Sequence, residues 1–133
     1  KLLKKRISWL KDCDHLRTFP MLQYGLSDDQ LISLLKKSER ISLKKNQPVL
    51  LPENTLGILE VGEVQFLVGN KNLKVTEKTV LGLSNKLGKP FSWKEQTVKK
   101  TQVLCLPAEN LLQAPGVRWF LQRAYQDYHF QLS

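Results

Sequence analysis

The spacing of apolar residues changes twice along this chain, and these two changes restrict the folds available to it. Over residues 26–37 the apolar positions recur at helical spacing. From Ile41 to Leu106 they alternate with polar residues in short runs between turn residues, which predicts strands. Beyond Pro107 the helical spacing returns. The sequence therefore predicts a mainly β domain with helices at both ends.

We divide the chain into N-terminal helices over residues 1–38, a β-roll over 39–106 and C-terminal helices over 107–133. A length of 133 residues suits one structural domain. The first residue is Lys1 rather than methionine, so we expect the domain to be excerpted from a longer protein.

The clearest local signal is the start of a helix after Ser27. Ser27 and Gln30 have the spacing of a capping box, in which each side chain accepts a hydrogen bond from the other residue's backbone. Leu26 and Leu31 have the spacing of a hydrophobic staple around the same cap. We expect a helix whose buried stripe includes Leu34 and Leu35.

The central region divides into short strands with a turn every few residues, as in a sandwich or roll. The predicted strands lie at 41–43, 49–51, 56–61, 64–68, 73–76, 79–83, 94–98 and 102–106. After a break at Ala114-Pro115, a final helix is predicted. Its apolar stripe consists of Val117, Phe120, Leu121, Ala124 and Tyr128.

Positive charge is concentrated before residue 101. The chain has 21 Lys and Arg against 12 Asp and Glu, a net charge of +9. A basic surface favours acidic partners, although a solvated lysine-rich surface is the simpler interpretation. The tightest cluster, Lys4, Lys5 and Arg6, falls in a predicted first helix and suits contact with an anionic membrane. Basic residues do not interleave with aromatic ones, so nucleic acid is not an expected partner.

Catalytic motifs are not found in the sequence. It has no nucleophile elbow, Walker-type phosphate loop or zinc-protease helix. Asp12, Asp14 and His15 suit capping or surface roles better than a metal site, and Cys105 reads as a buried, inert thiol. We therefore expect no catalytic residue, metal or cofactor. The three tryptophans are expected to be core or groove anchors: Trp9, Trp93 and Trp119.

The order of elements and four motifs resemble the cyclic-nucleotide-binding domain family from about Leu22 to Leu132. The motifs are an opening-helix sequence, a basic turn, a strand running into Gly-Glu-Val, and a last strand leading into a helix. They occupy residues 25–31, 44–50, 56–64 and 104–111. This resemblance implies a β-roll, that is, a double-stranded β-helix or jelly roll, with N-terminal helices and a C-terminal helix.

The segment that resembles the family's phosphate cassette departs from its pattern. In nucleotide-binding members a glutamate takes the ribose hydroxyl and an arginine pairs with the cyclic phosphate. The matching positions here hold Leu83 and Phe91. A buried phosphate without a charge-assisted donor carries a large desolvation cost. Backbone amides around Gly82 and the Lys89 side chain leave anion binding open. The expected degenerate pocket comprises Gly82, Leu83, Lys89, Phe91, Ser92 and Trp93.

The resemblance implies a regulatory or protein-interaction domain rather than an enzyme, one that has lost cyclic-nucleotide binding. Its expected partners are other domains of the same polypeptide or a partner protein. The cytoplasmic face of a membrane transporter or channel is one such context. Two alternatives stay open: a sensor of a small ligand, such as a cyclic nucleotide or another anion, and the sensor half of a transcription regulator.

Overall fold

A computed structural model describes residues 11–23, 25–86 and 91–133. The predicted first helix, with Lys4, Lys5, Arg6 and Trp9, lies outside the described residues, as does Lys89.

In the described residues, a short helical segment over residues 11–16 and a 3-10 turn, Pro20–Leu22, are followed by seven strands and four helices. The strands are β1 (Glu39–Leu43), β2 (Thr55–Val61), β3 (Val64–Val68), β4 (Lys71–Val75), β5 (Val80–Leu81), β6 (Lys94–Thr97) and β7 (Thr101–Pro107). The helices are α1 (Asp28–Lys36), α2 (Leu83–Lys86), α3 (Ala108–Gln113) and α4 (Pro115–Leu132).

The strands form two antiparallel sheets. One has the order β1-β7-β2-β5 and the other the order β4-β3-β6. Alternate residues turn inward from both sheets and meet the apolar faces of the helices, so a continuous core contains Phe66, Leu104 and Leu121. The predicted fold class, a β-roll between N-terminal helices and a C-terminal helix, is confirmed.

The predicted helix start at Ser27 is confirmed. The Gln30 backbone N–H donates to Ser27 Oγ at 3.2 Å, and the Ser27 backbone N–H donates to Gln30 Oε1 at 2.8 Å. Arg17 anchors the preceding segment to this helix, since its Nη2 atom lies 2.8 Å from Asp28 Oδ1 and 3.1 Å from the Leu26 carbonyl oxygen. Leu26 and Leu31 are both buried, as the staple requires.

Two strand predictions were wrong in part. Residues 49–51 form no strand, and Pro48 makes only an isolated bridge to Gln96. The strand predicted over 79–83 ends at Leu81, because Gly82 turns the chain and Leu83 begins α2. A short apolar run such as the one over residues 80–83 does not distinguish a buried strand from a buried turn of helix.

Helix α4 packs on the roll through a stripe that differs from the predicted one. Val117 and Leu121 are fully buried as predicted, and Phe120 is half-buried. Tyr125 and Leu132 are buried and were missed. The prediction that Trp119 is a core or groove anchor is wrong. Its exposed fraction is 62%, because it lies on the outer face of the helix.

Replacing Ser27 by alanine should lower the free energy of unfolding by about 0.5–2 kcal/mol, because the Gln30 amide loses its acceptor. Urea denaturation measures this difference. Ser33→Ala is the matched control, since Ser33 lies inside the same helix and does not cap it. Equal midpoints for the two variants would show that the cap does not stabilise the fold.

Candidate functional site

The site is built around a carboxylate that points into the roll. Glu95 on β6 pairs with Phe66 on β3, and Phe66 is fully buried. Trp93 and Thr97, two residues away on either side, are buried as well. Because side chains alternate along a strand, Glu95 faces the same interior as these neighbours.

Glu95 accepts hydrogen bonds from the turn that follows β5. The Gly82 backbone N–H lies 3.0 Å from Glu95 Oε1 and 3.1 Å from Oε2. The Trp93 indole Nε1 donates to Oε2 at 3.0 Å. Gly82 has a φ of +90°, and a Cβ there would lie 2.8 Å from Leu51 Cδ1. The turn that aims this amide at Glu95 therefore requires glycine.

Burial shifts the ionisation of Glu95. Desolvation raises the pKa of Glu95 from its ordinary value of 4.5 to about 7, and the Gly82 and Trp93 hydrogen bonds only partly oppose this. The Tyr128 hydroxyl feels the same environment. Its pKa is raised chiefly by burial and further by the nearby Glu95 charge. Near neutral pH, Glu95 exchanges between its charged and neutral forms.

An aromatic cluster connects the Glu95 site to α4. The Trp93 ring lies 5.6 Å from Phe66, 5.2 Å from Tyr125 and 5.8 Å from Tyr128, measured between centroids. Phe91 stacks on His129 with centroids 4.0 Å apart. The Tyr125 hydroxyl also donates a hydrogen bond to the Phe91 carbonyl oxygen. Movement of Trp93 or Phe91 would therefore disturb the packing of α4.

A cleft of about 220 Å³ opens beside Glu95. Its walls are formed by Gly82, Glu95, Thr55 and the segment from Val49 to Glu53. The titratable side chains among these lining residues are both acidic, Glu53 and Glu95. When these two carboxyl groups are ionised, they oppose the entry of an anion.

The predicted pocket residues occupy different environments. Leu83 is fully buried and Trp93 nearly so, whereas Ser92 is exposed and Phe91 is half-buried against α4. Gly82 and Trp93 come together through their shared acceptor, Glu95. A further link joins the Trp93 backbone N–H to Ser84 Oγ at 2.8 Å.

Sequence reasoning missed Glu95, the residue at the centre of this arrangement. A signal was present: Glu95 has the inward spacing of Trp93 and Thr97 along the predicted strand. What the pattern does not reveal is the partner, because Gly82 is thirteen positions away and meets Glu95 only in the folded roll.

The other candidate groups offer little reactivity. Cys105 is fully buried, and desolvation raises the pKa of its thiol to about 11, so it stays protonated at neutral pH. His15 Nε2 lies 3.4 Å from Glu60 Oε2. Over residues 11–23, 25–86 and 91–133, no group of three or more His, Cys, Asp and Glu side chains is arranged to hold a metal ion. No helix in this described part is long and apolar enough to span a membrane.

No protein-family model matches the sequence, and no curated protein matches it. Solved structures do. The sensor domain of the transcriptional regulator DNR from Pseudomonas aeruginosa is 19% identical, with 88% of this chain and 91% of that chain covered and a TM-score of 0.66. The fold is that of cyclic-nucleotide-binding domains.

Two protein kinase A regulatory structures share this cyclic-nucleotide-binding-domain fold. The regulatory domain from Toxoplasma gondii with cAMP is 13% identical over 90% of this chain and 50% of that one, with a TM-score of 0.68. The regulatory subunit of a cAMP-independent kinase from Trypanosoma cruzi, bound to guanosine, is 15% identical over 91% and 49%, with a TM-score of 0.69. This chain thus spans about half the length of each of these two regulatory chains. At these identities the likeness shows the fold alone.

Glu95→Gln should change how stability depends on pH. The folded protein holds a proton on Glu95 up to about pH 7, whereas the unfolded chain releases it near 4.5. Stability supplied by the neutral acid is therefore fully present below about pH 4.5 and is lost as pH rises to about 7. The loss amounts to about 3 kcal/mol.

The measurement is the unfolding free energy of parent and variant at pH 5 and pH 7.5. The variant should gain about 2 kcal/mol relative to the parent on going to the higher pH, since these two pH values span most but not all of the transition. Parent and variant differ only at Glu95, so the contributions that they share cancel in the comparison. Glu53→Gln, on the exposed rim of the same cleft, is the control and should follow the parent. Parallel pH profiles for all three proteins would contradict a buried Glu95 with a raised pKa.

Proposed function

We propose that this chain is a non-catalytic regulatory domain of a larger protein that does not bind cyclic nucleotides. The observation that carries the proposal is that both oxygens of Glu95 lie within hydrogen-bond distance of the Gly82 amide. The resemblance in sequence matches Gly82 to the glycine of the phosphate cassette. The carboxylate of the domain itself thus occupies a backbone donor that an incoming phosphate would need.

Displacing Glu95 would be costly. A phosphate at Gly82 must take the amide away from the carboxylate and leave it with the Trp93 indole alone. It would also bring a second negative charge beside a largely buried acid, and like charges in a shared site oppose ionisation of both. Protonation of Glu95 relieves this repulsion, so the repulsion opposes a phosphate most strongly above the Glu95 pKa of about 7.

The two residues that replace the family's polar groups support the same conclusion. The sequence resemblance matches Leu83 to the glutamate that takes the ribose hydroxyl, and this side chain is apolar and fully buried. Phe91, at the arginine position, packs its ring on His129 of α4. If the resemblance holds, this chain lacks the guanidinium that would pair with a cyclic phosphate, and Phe91 contacts α4 instead.

We propose that regulation passes through α4. Trp93 and Phe91 connect the pocket segment to Tyr125, Tyr128 and His129 on this helix. A partner protein, or another domain of the same polypeptide, would act by binding or moving the helix rather than by a nucleotide. The regulatory domain of a protein kinase A and the sensor domain of a transcriptional regulator share the fold, which supports a regulatory role for this chain. The cytoplasmic face of a membrane transporter or channel is the context that we favour.

A second candidate function is the sensing of an uncharged or cationic small ligand. The cleft beside Gly82 and Glu95 has a volume of about 220 Å³, which limits it to a small ligand. The titratable residues that line it are acidic rather than basic. The Trypanosoma cruzi relative in fold is bound to guanosine, a nucleoside without phosphate. A ligand of this kind would not compete with Glu95 as an anion.

Calorimetric titration with cAMP, cGMP and guanosine tests both candidates. We expect no heat of binding for the cyclic nucleotides up to about 1 mM, which sets the dissociation constant in the millimolar range or weaker. Binding of guanosine alone would favour the second candidate. A low-micromolar dissociation constant for cAMP or cGMP would overturn the proposal, since Glu95 would then not protect Gly82.

A further inference from the structure

Two pairs of neighbouring lysines come together at one end of the roll. Lys44 and Lys45 follow β1, and Lys99 and Lys100 precede β7. In the β1–β7 pairing, Leu43 at the end of β1 lies opposite Thr101 at the start of β7. The lysine pair after β1 is therefore adjacent to the lysine pair before β7. We call these four lysines the lysine end.

The backbone beneath the lysine end is fixed by buried contacts. The Thr97 hydroxyl donates to the Lys44 carbonyl oxygen at 2.6 Å, and Thr97 is fully buried. A Cβ on Gly62 would lie 2.6 Å from the Lys100 carbonyl oxygen, so the turn after β2 presses directly on the second lysine pair. The backbone at Lys44 and at Lys100 is therefore held by contacts with the rest of the roll.

Opposite charge at this end neutralises only part of the cluster. All four lysines are exposed, and Lys99 Nζ lies 3.8 Å from Glu63 Oε2. The lysine end together with Glu63 thus has a net charge of +3. Val61, beside it at the end of β2, is 53% exposed.

We propose that the lysine end binds the surface of an anionic lipid membrane. The four exposed lysines lie in turns at the ends of strands, where they can contact a broad anionic surface together. The exposed Val61 can enter the headgroup boundary alongside them. The exposed large aromatic side chains of the described residues, Trp119 and Phe130, lie on α4 instead, so stacking on nucleic-acid bases is not provided here.

The affinity comes from the summed attraction of the lysines. Each lysine near an anionic membrane surface strengthens partitioning about fivefold, and the attraction falls off within a Debye length. Removing one pair should weaken partitioning about 25-fold, and raising the salt to about 1 M should largely abolish it. This inference does not depend on whether the pocket binds a nucleotide.

The test is cosedimentation of the chain with vesicles that contain about 30% phosphatidylserine in phosphatidylcholine, at about 0.1 M salt. We compare the parent with Lys44→Gln/Lys45→Gln and with Lys99→Gln/Lys100→Gln. The matched control is Lys36→Gln/Lys37→Gln, an exposed lysine pair at the end of α1, where β1 begins rather than ends. Each lysine-end variant should lose about 25-fold in partitioning, and the control should stay near the parent.

Replacement of all four lysines by arginine keeps the charge and should keep partitioning, which separates charge from any loss of structure. Binding that falls equally in the control and in the lysine-end variants would overturn the assignment, because net charge alone would then explain it. So would an absence of vesicle binding, or tighter binding to a short duplex DNA that depends on the same lysines.

Discussion

The hydrogen bonds between the Gly82 amide and the Glu95 carboxylate are the interaction on which the pocket end of this roll depends. They join the end of β5 to the inner face of β6 over a separation of thirteen residues. Glycine is required at one partner by its positive φ, and burial sets the ionisation of the other. The Glu95 carboxylate accepts from the Gly82 amide, a donor that could otherwise bind the anionic group of a ligand.

The same site also contacts α4. Trp93 donates to Glu95 through its indole and presents its ring to Tyr125 and Tyr128. The carboxylate, the indole and the helix therefore form one packed unit. In such a unit a change in the charge of Glu95 alters hydrogen bonding and aromatic packing together. Regulation by a partner that binds α4 would act on the same contacts from the outside.

Much of the architecture could be predicted from the sequence, because it rests on local signals. The capping box at Ser27 and the change from helical to alternating spacing identify α1 and most strands. Tertiary geometry determines the rest. The packing of Tyr125, the exposure of Trp119 and the helix that begins at Leu83 depend on which neighbours the fold supplies. Glu95 shows this most clearly, since its importance comes from a partner that spacing does not reveal.

The most direct measurement of the central claim is an NMR pH titration that follows the Glu95 side-chain carboxyl carbon and the Gly82 amide proton together. If the carboxylate accepts from this amide inside the roll, both signals should titrate with one midpoint near pH 7. A Glu95 midpoint near 4.5, or a Gly82 amide that does not respond when Glu95 titrates, would contradict the account.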